Sequence, residues 1–428
     1  MQFVNSSRPN GRSGQLSRSE PLFIPASTEA DDRLRDTPTD ALIETIRAAY
    51  PTEAEYDDML TRKMRRRASG RYRIPTLEEM SGYTHRFLAD HVEGLFTVSE
   101  ERWLTGGASK LQFAFTLHWR DPNVGQTATE LVVRMEPAES LNATSRRREF
   151  QILAAVAPYV PVPRTYWMDP KGQWFPEPAI VYQFITGTTK PSDDRQRVSG
   201  TGTRFGPQLR AQLAPQFTQH LAAIHTVEWS GAQLDAFDVP TVGTTESALW
   251  QLNRVRRFWE EDRGEDFPLF EYATNWLLDN LPVTDRVSVL HGDYRSGNFL
   301  FDEPSGKITG WLDWERAYLG DRHRDLAYTA TRLFGNVAED GKTFLVCGLV
   351  PIESFYEEYE RFSGLSVDSR KLHYYRVFNT YQLMASCMAS SYRVVRLGKS
   401  HQDVLLAFID GVVSSLSNEL LQYLEESV

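Results

Sequence analysis

The chain has 428 residues, 41% hydrophobic and 24% charged, with a formal net charge of −10 and two cysteines. That length can bury a sizeable core, and the acidic balance excludes a general nucleic-acid binder or a partner of anionic membranes. Cys347 and Cys387 have no metal-ligand or disulfide-framework spacing, and no apolar stretch suits a bilayer span or a signal peptide, so a cytoplasmic protein is expected.

Residues 1–38 are rich in Ser, Arg, Pro and Asp without periodicity and are predicted to be a flexible tail. Residues 39–95 read as a helical extension. Ala41, Leu42, Ile43 and Ile46 predict one helix, Tyr56, Met59 and Leu60 a second, and Met80, Tyr83 and Phe87 a third. Strand signals begin near Phe96, opening a small lobe over 96–186. Trp103-Leu104, Leu111–Trp119, Leu131–Met135, Thr165–Met168 and Ile180–Ile185 predict a five-stranded sheet. A tight loop, Gly106-Gly107-Ala108-Ser109, joins the first two strands, and Arg146–Val156 has helical spacing. Val160-Pro161-Val162-Pro163 cannot continue that helix.

Residues 187–428 read as a large, mainly helical lobe. Leu209, Leu213, Phe217, Leu221 and Ile224 recur at helical spacing, as do the aromatics of 250–278, and 353–427 is helical almost throughout. One strand island is expected there. Val287–Leu290 leads into His291-Gly292-Asp293-Tyr294-Arg295-Ser296-Gly297-Asn298; then Phe299–Phe301, the turn Asp302–Gly306 and Ile308–Leu312 form a hairpin ending at Asp313. With neighbouring strands roughly 4.8 Å apart, Asn298 and Asp313 would face each other at its open end and grip one divalent cation. Phosphoryl transfer needs such an oxygen pair, together with a carboxylate at the acceptor hydroxyl; kinase catalytic loops place that Asp five residues before their Asn, as Asp293 stands before Asn298.

At these residues the chain resembles the aminoglycoside phosphotransferase and choline kinase-like family, small-molecule relatives of the protein kinases. The resemblance rests on His291-Gly292-Asp293, four variable residues and Asn298, then Asp313-Trp314-Glu315, then Gly320-Asp321-Arg322-His323-Arg324-Asp325-Leu326. It implies an α+β, two-lobed, protein-kinase-like fold and an Mg²⁺-dependent transfer of the γ-phosphoryl of ATP, with GTP not excluded, to a small-molecule hydroxyl. Asp293 would be the catalytic carboxylate, and Asn298 and Asp313 the metal ligands. His291, Arg295 and Asp325 would support the loop. Gly106, Gly107 and Ser109 would cover the phosphates, and Gln183 and Ile185 would present backbone groups to the base. Arg134 stands where kinases carry a lysine on the third strand, and Glu149 is its expected ion-pair partner. Arginine at that position also feeds a second reading, a catalytically silent nucleotide-binding regulator.

The acceptor's charge has its own signal. Ser369–Gln402 contains no Asp or Glu but carries Arg370, Lys371, Arg376, Arg393, Arg396 and Lys399 among aromatics. If it lined the pocket, a neutral or anionic acceptor would be favoured over a polycation. The acidic run Glu260–Asp266 is the competing candidate for that wall. The stripe Tyr374, Phe378, Tyr381, Met388 and Tyr392 is expected to be core, with one end towards the acceptor.

Overall fold

A computed structural model describes residues 22, 24–68, 73–104, 110–137, 143–194, 201–398 and 411–426. The loop holding Gly106, Gly107 and Ser109 lies outside the described residues.

Among the described residues four helices precede the sheet: α1 (Glu29–Asp36), α2 (Asp40–Ala49), α3 (Ala54–Arg67) and α4 (Leu77–His91). The first corrects the expectation of a tail reaching residue 38. Thr28 and Asp31 cap α1 reciprocally. Buried Arg35 then fixes the segment, donating to the carbonyls of Ile24, Pro25 and Glu260 at 2.9, 2.7 and 2.9 Å. Its apolar content is too low to signal order; its ionic contacts are what hold it.

The small lobe is an antiparallel sheet of β1 (Thr97–Trp103), β2 (Leu111–Asp121), β3 (Gly125–Met135), β4 (Thr165–Asp169) and β5 (Ala179–Gln183), in the order β1-β2-β3-β5-β4. All five expected strands are present. β3 starts earlier than its apolar run suggests, because the polar residues from Gln126 to Glu130 still pair with β2. Strand side chains alternate between two cores. Phe113, Phe115, Val133 and Val181 pack with Phe87 and Leu88 of α4. Ala114, Val132 and Ile180 face the other way, onto Ile152, Leu153 and Val156 of α5 (Arg146–Val156).

The large lobe contains α6 (Pro207–His225), α7 (Glu246–Asp262), α8 (Pro268–Asp279), α9 (His323–Thr329), α10 (Ile352–Ser363), α11 (Ser369–Ala385), α12 (Ser391–Leu397) and α13 (Val413–Glu425), with a π-helical turn at Ser386–Ser390. Strand β7 (Phe299–Asp302) pairs with β8 (Lys307–Trp311) as expected. That hairpin is not alone. β6 (Ser288–Leu290) pairs with β9 (Tyr318–Gly320), and 336–337, 344–346 and 350–351 make a small ribbon. These strands are two or three residues long, too short to carry a visible period. Tyr374, Phe378 and Tyr381 are core, while Tyr392 reaches outward and donates to Asp32 at 2.7 Å.

The extension packs on α7 through ions. Asp262, buried, receives Lys63 at 2.6 Å and Arg67 at 2.5 Å from α3. Arg393 of α12 is fully buried and pairs with Asp32 at 2.9 Å and Asp36 at 2.5 Å. Among the described residues no helix is long and apolar enough to cross a membrane.

Candidate active site

The ends of two strand pairs meet at one point. β6 and β9 lie side by side with Leu290 opposite Tyr318, so the chain leaving β6 at His291 runs against the chain entering β9 at Ala317. Contact is close enough to demand a glycine. A Cβ on Gly292 would sit 2.3 Å from the Arg316 carbonyl oxygen, and its φ is +81°. Beyond the other pair, Phe299 opposite Trp311, the Leu312 N–H donates to the Asn298 carbonyl at 2.8 Å. Asn298 and Asp313 therefore stand at the open end of the hairpin, as the spacing implies. Asp313 is left-handed, with φ 64° and ψ 48°, an uncommon state for a non-glycine residue and one concentrated at functional sites. Asn298 donates its amide to the Asp293 carbonyl at 2.8 Å, which leaves the amide oxygen as that side chain's acceptor.

His291 is buried, accepts the Asp293 N–H at Nδ1 (3.2 Å) and contacts the Leu312 carbonyl through Nε2 (3.0 Å). Those partners require a neutral ring protonated at Nε2, and burial pushes its pKa down to about 4. It ties the loop to the hairpin. Asp325 braces the same loop by accepting the N–H groups of His291 at 2.7 Å and Gly292 at 3.0 Å. Arg324 and His225 complete this brace: Arg324 donates to the Gly292 carbonyl and to Gln382, and His225 approaches Asp325 at 3.5 Å. Arg324 lies inside the Gly320–Leu326 motif, whereas His225 carries no sequence signal, since it arrives from α6, a hundred residues upstream of Asp325.

Asp293 is mostly buried, with Arg295 Nε 3.1 Å from its Oδ1. Against the cost of burial, Arg295, Arg316 and the Tyr328 hydroxyl hold its carboxyl well below the usual range.

The interlobe wall is a buried ionic cluster. Arg134 of β3 reaches Glu149 of α5 at 3.2 Å, Glu315 at 2.7 Å and the Asp313 carboxylate. The expected Arg134–Glu149 pair is thus formed, and the same guanidinium also spans to the catalytic hairpin. Lys110 contacts Glu136 at 3.0 Å and Glu315 at 3.5 Å, and Arg146 contacts Glu136 at 3.1 Å and pairs with Glu149. Among the described residues of this cluster, four carboxylates face three cations. Burial and the adjacent Glu315 push Asp313 above the usual carboxylate range, whereas Lys110, Arg134 and Arg146 overcome burial and hold Glu315 below it. The donor set fits a hard divalent cation: two oxygen ligands, the Asn298 amide oxygen and the Asp313 carboxylate. Lys110, Glu136, Arg146 and Glu315 were missed in sequence; Glu315 beside Asp313 and Lys110 beside the glycine loop were the available signals.

Gln183 and Ile185 lie where β5 leaves the small lobe. The Gln183 N–H is taken by the Arg164 carbonyl at 2.8 Å, and Ile185 packs on Gly310 of β8. The linker then bridges to β7 through Thr188 and Phe301 at 2.9 Å, with Gly187 at φ +143° where a Cβ would meet Thr309.

Most of the charges considered for the acceptor wall are engaged by other partners, and Lys399 lies outside the described residues. Arg393 and Arg396 are engaged by Asp32, Asp36 and Glu29 of α1, and Lys371 by Asp285 at 2.5 Å. Glu260, Glu261 and Asp262 are buried against Arg35, Arg263, Arg257, Lys63 and Arg67. Arg393 and Arg396 of one stretch and Glu260 and Asp262 of the other dock the extension, a use that depends on partners more than a hundred residues away in sequence. A surface hollow of about 530 Å³ lined by Tyr83, Arg86, Asp90 and Trp174 includes none of these site residues.

A five-stranded lobe with one bracing helix, set over a helical lobe whose hairpin and loop present Asp293, Asn298 and Asp313, defines a protein-kinase-like fold. The crystal structure of a Ralstonia eutropha protein described as a candidate aminoglycoside phosphotransferase has this fold, with a TM-score of 0.58 at 20% identity over 80% of this chain and 97% of that one. The phosphotransferase enzyme family model matches residues 104–365, more than half of the chain, and the chain belongs to that family. Among named relatives, the mouse acyl-CoA dehydrogenase family member 10 is 26% identical over 206 residues, and the Arabidopsis thaliana candidate acyl-CoA dehydrogenase IBR3 is 24% identical over 319. These matches cover 47% and 69% of this chain but only 18% and 37% of the relatives, so the chain spans well under half of either. An aminoglycoside 3'-phosphotransferase of Niallia circulans is 29% identical over 86 residues, 20% of this chain and 32% of that protein.

Proposed function

We propose that this protein is an ATP-dependent small-molecule kinase of the cytoplasm, transferring the γ-phosphoryl group to an alcohol. The observation that supports it is that Asp293, Asn298 and Asp313 come together at the open end of the hairpin, with Arg134 bridging Asp313 to Glu149. Asp293 aligns the acceptor hydroxyl. Its oxygen attacks the γ-phosphorus as the bond to the β–γ bridging oxygen breaks, ADP departs, and the hydroxyl proton passes to Asp293. Arg295 and Arg316 keep Asp293 ionised at neutral pH, so its oxygens are always acceptors; its weak basicity suits a loose transition state in which the proton moves late. A magnesium ion held by Asn298 and Asp313 would supply charge neutralisation on the triphosphate. Arg134 and Lys110 flank that position; the N–H groups of Gln183 and Phe184 are taken by the carbonyls of Arg164 and Glu130, so the base edge would be met from Ile185 onward.

The test is a screen of hydroxylated metabolites with labelled ATP, followed by Asp293→Asn on the best substrate. Turnover should disappear while nucleotide binding persists. A variant keeping a tenth or more of wild-type kcat, about 1.4 kcal/mol of barrier, overturns the assignment. A silent nucleotide binder is the second reading, favoured by the contact of Arg134 with Asp313; it requires that no alcohol turn over although ATP binds.

A further inference from the structure

Arg316 leaves the hairpin directly after the ionic cluster, yet takes no part in it. It is 8% exposed; its Nε has no hydrogen-bond partner, and Nη1 lies 3.4 Å from the Tyr328 hydroxyl. Behind it, Arg254 of α7 is 5% exposed and forms no hydrogen bond or ion pair with any described residue. Its guanidinium lies 3.7 Å from the ring centroid of Tyr56, from α3, whose own hydroxyl is buried without a partner.

The nearby carboxylates are committed elsewhere. Glu53, which acts electrostatically on Arg254, is held by Arg148 at 2.9 Å and by Gln251 at 3.3 Å. Glu315 is held by Lys110 and Arg134, and Asp293 by Arg295. Arg254 and Arg316 repel one another, and burial together with that repulsion lowers Arg254 to about 10. Every other deeply buried arginine in the extension interface, Arg35, Arg67, Arg257 and Arg393 among them, meets a carboxylate. Asp293 and Glu315 attract Arg316 from one side, whereas Arg254 is buried with no ion pair among the described residues, which is costly unless an anion arrives.

We propose that Arg254 and Arg316 form an anion subsite beside Asp293, so that the acceptor alcohol carries a carboxylate or phosphate group. The reading deepens the kinase assignment and rests on it. It also gives the extension a place in the site, since Tyr56 stacks on Arg254 and places a hydroxyl in the same patch. Guanidinium forks suit planar carboxylate and phosphate alike. An anchored anion would hold the alcohol in register with Asp293.

Calorimetric titration of the full chain with inorganic phosphate, and separately with propionate, tests the subsite without knowledge of the substrate. Wild type should bind one of them, and which one identifies the anion class. Arg254→Gln should weaken binding by about tenfold or more, about 1.4 kcal/mol, and Arg254→Lys should recover part of it. A thermal shift with ATP·Mg in each variant establishes that the fold and nucleotide site are intact. In the alcohol screen, hydroxy acids or phosphorylated alcohols should exceed matched uncharged alcohols in kcat/KM by about tenfold or more. Binding of neither anion by wild type, equal binding by Arg254→Gln, or preference for the uncharged alcohols overturns the subsite. Arg254-dependent anion binding with no alcohol phosphorylated would leave the subsite standing and refute the kinase reading instead.

Discussion

Replacing Arg134 by lysine keeps the charge and removes the fork. In the structure one guanidinium spans two elements, with Nε 3.2 Å from Glu149 on α5 and Nη2 2.7 Å from Glu315 on the hairpin, in contact with Asp313 as well. A lysine ammonium is a single point and can meet only one side. A charge-assisted hydrogen bond lost in such a place is worth about 1.5–3 kcal/mol. The carboxylate left behind is buried, in a cluster already short of positive charge, which takes the expected loss to about 3 kcal/mol. Arg134→Met, which removes the charge altogether, should cost more, about 5 kcal/mol. Urea unfolding of the ligand-free protein reads both. A lysine variant within about 0.5 kcal/mol of wild type, the range of an ordinary surface change, would refute the claim that the fork holds the lobes together.

Asp313→Ala removes the carboxylate ligand, so ATP·Mg should no longer stabilise the fold; wild type at about 100 times its Kd should gain about 2.7 kcal/mol. An equal melting shift in both proteins would contradict the ligand role. Deleting residues 1–36 takes Asp32 and Asp36 from buried Arg393 and should cost about 3 kcal/mol; a loss below about 0.5 kcal/mol would show that α1 is dispensable. His291 sits near 4 in the folded protein against an unfolded value of 6.5, so the unfolded chain takes up a proton that the native one refuses. Stability should therefore fall as pH drops from 6.5 towards 4, by about 3 kcal/mol from this residue. His291→Asn should flatten that slope, and an unchanged slope would refute the buried neutral ring.

Much of the catalytic framework could be read locally. The five strands, the bracing helix and the hairpin each carry their own period or turn residues, and the hairpin alone sets Asn298 against Asp313, because pairing register is a property of a dozen contiguous residues. The family resemblance implied a supporting role for His291; that its ring is neutral came only from its partners in the fold. The glycine loop remains an expectation, since Gly106, Gly107 and Ser109 lie outside the described residues.

Other features depended on which distant segments meet. The segment 24–36 looks like a tail because it lacks an apolar face, yet Arg393 and Glu260 hold it with charges more than two hundred residues away. The same contacts account for the basic stretch of α12 and the acidic run at the end of α7, whose charge pattern alone fitted an acceptor wall equally well. Periodicity along a chain reports burial of one face, and short motifs report local backbone geometry. The sign of a charge says nothing about its partner. The sequence could therefore specify the elements and the catalytic hairpin. Only tertiary structure could show that Arg393 is satisfied by the extension while Arg254 is buried with no ion pair among the described residues, since desolvation makes each buried charge depend on what the fold brings within a few ångströms of it.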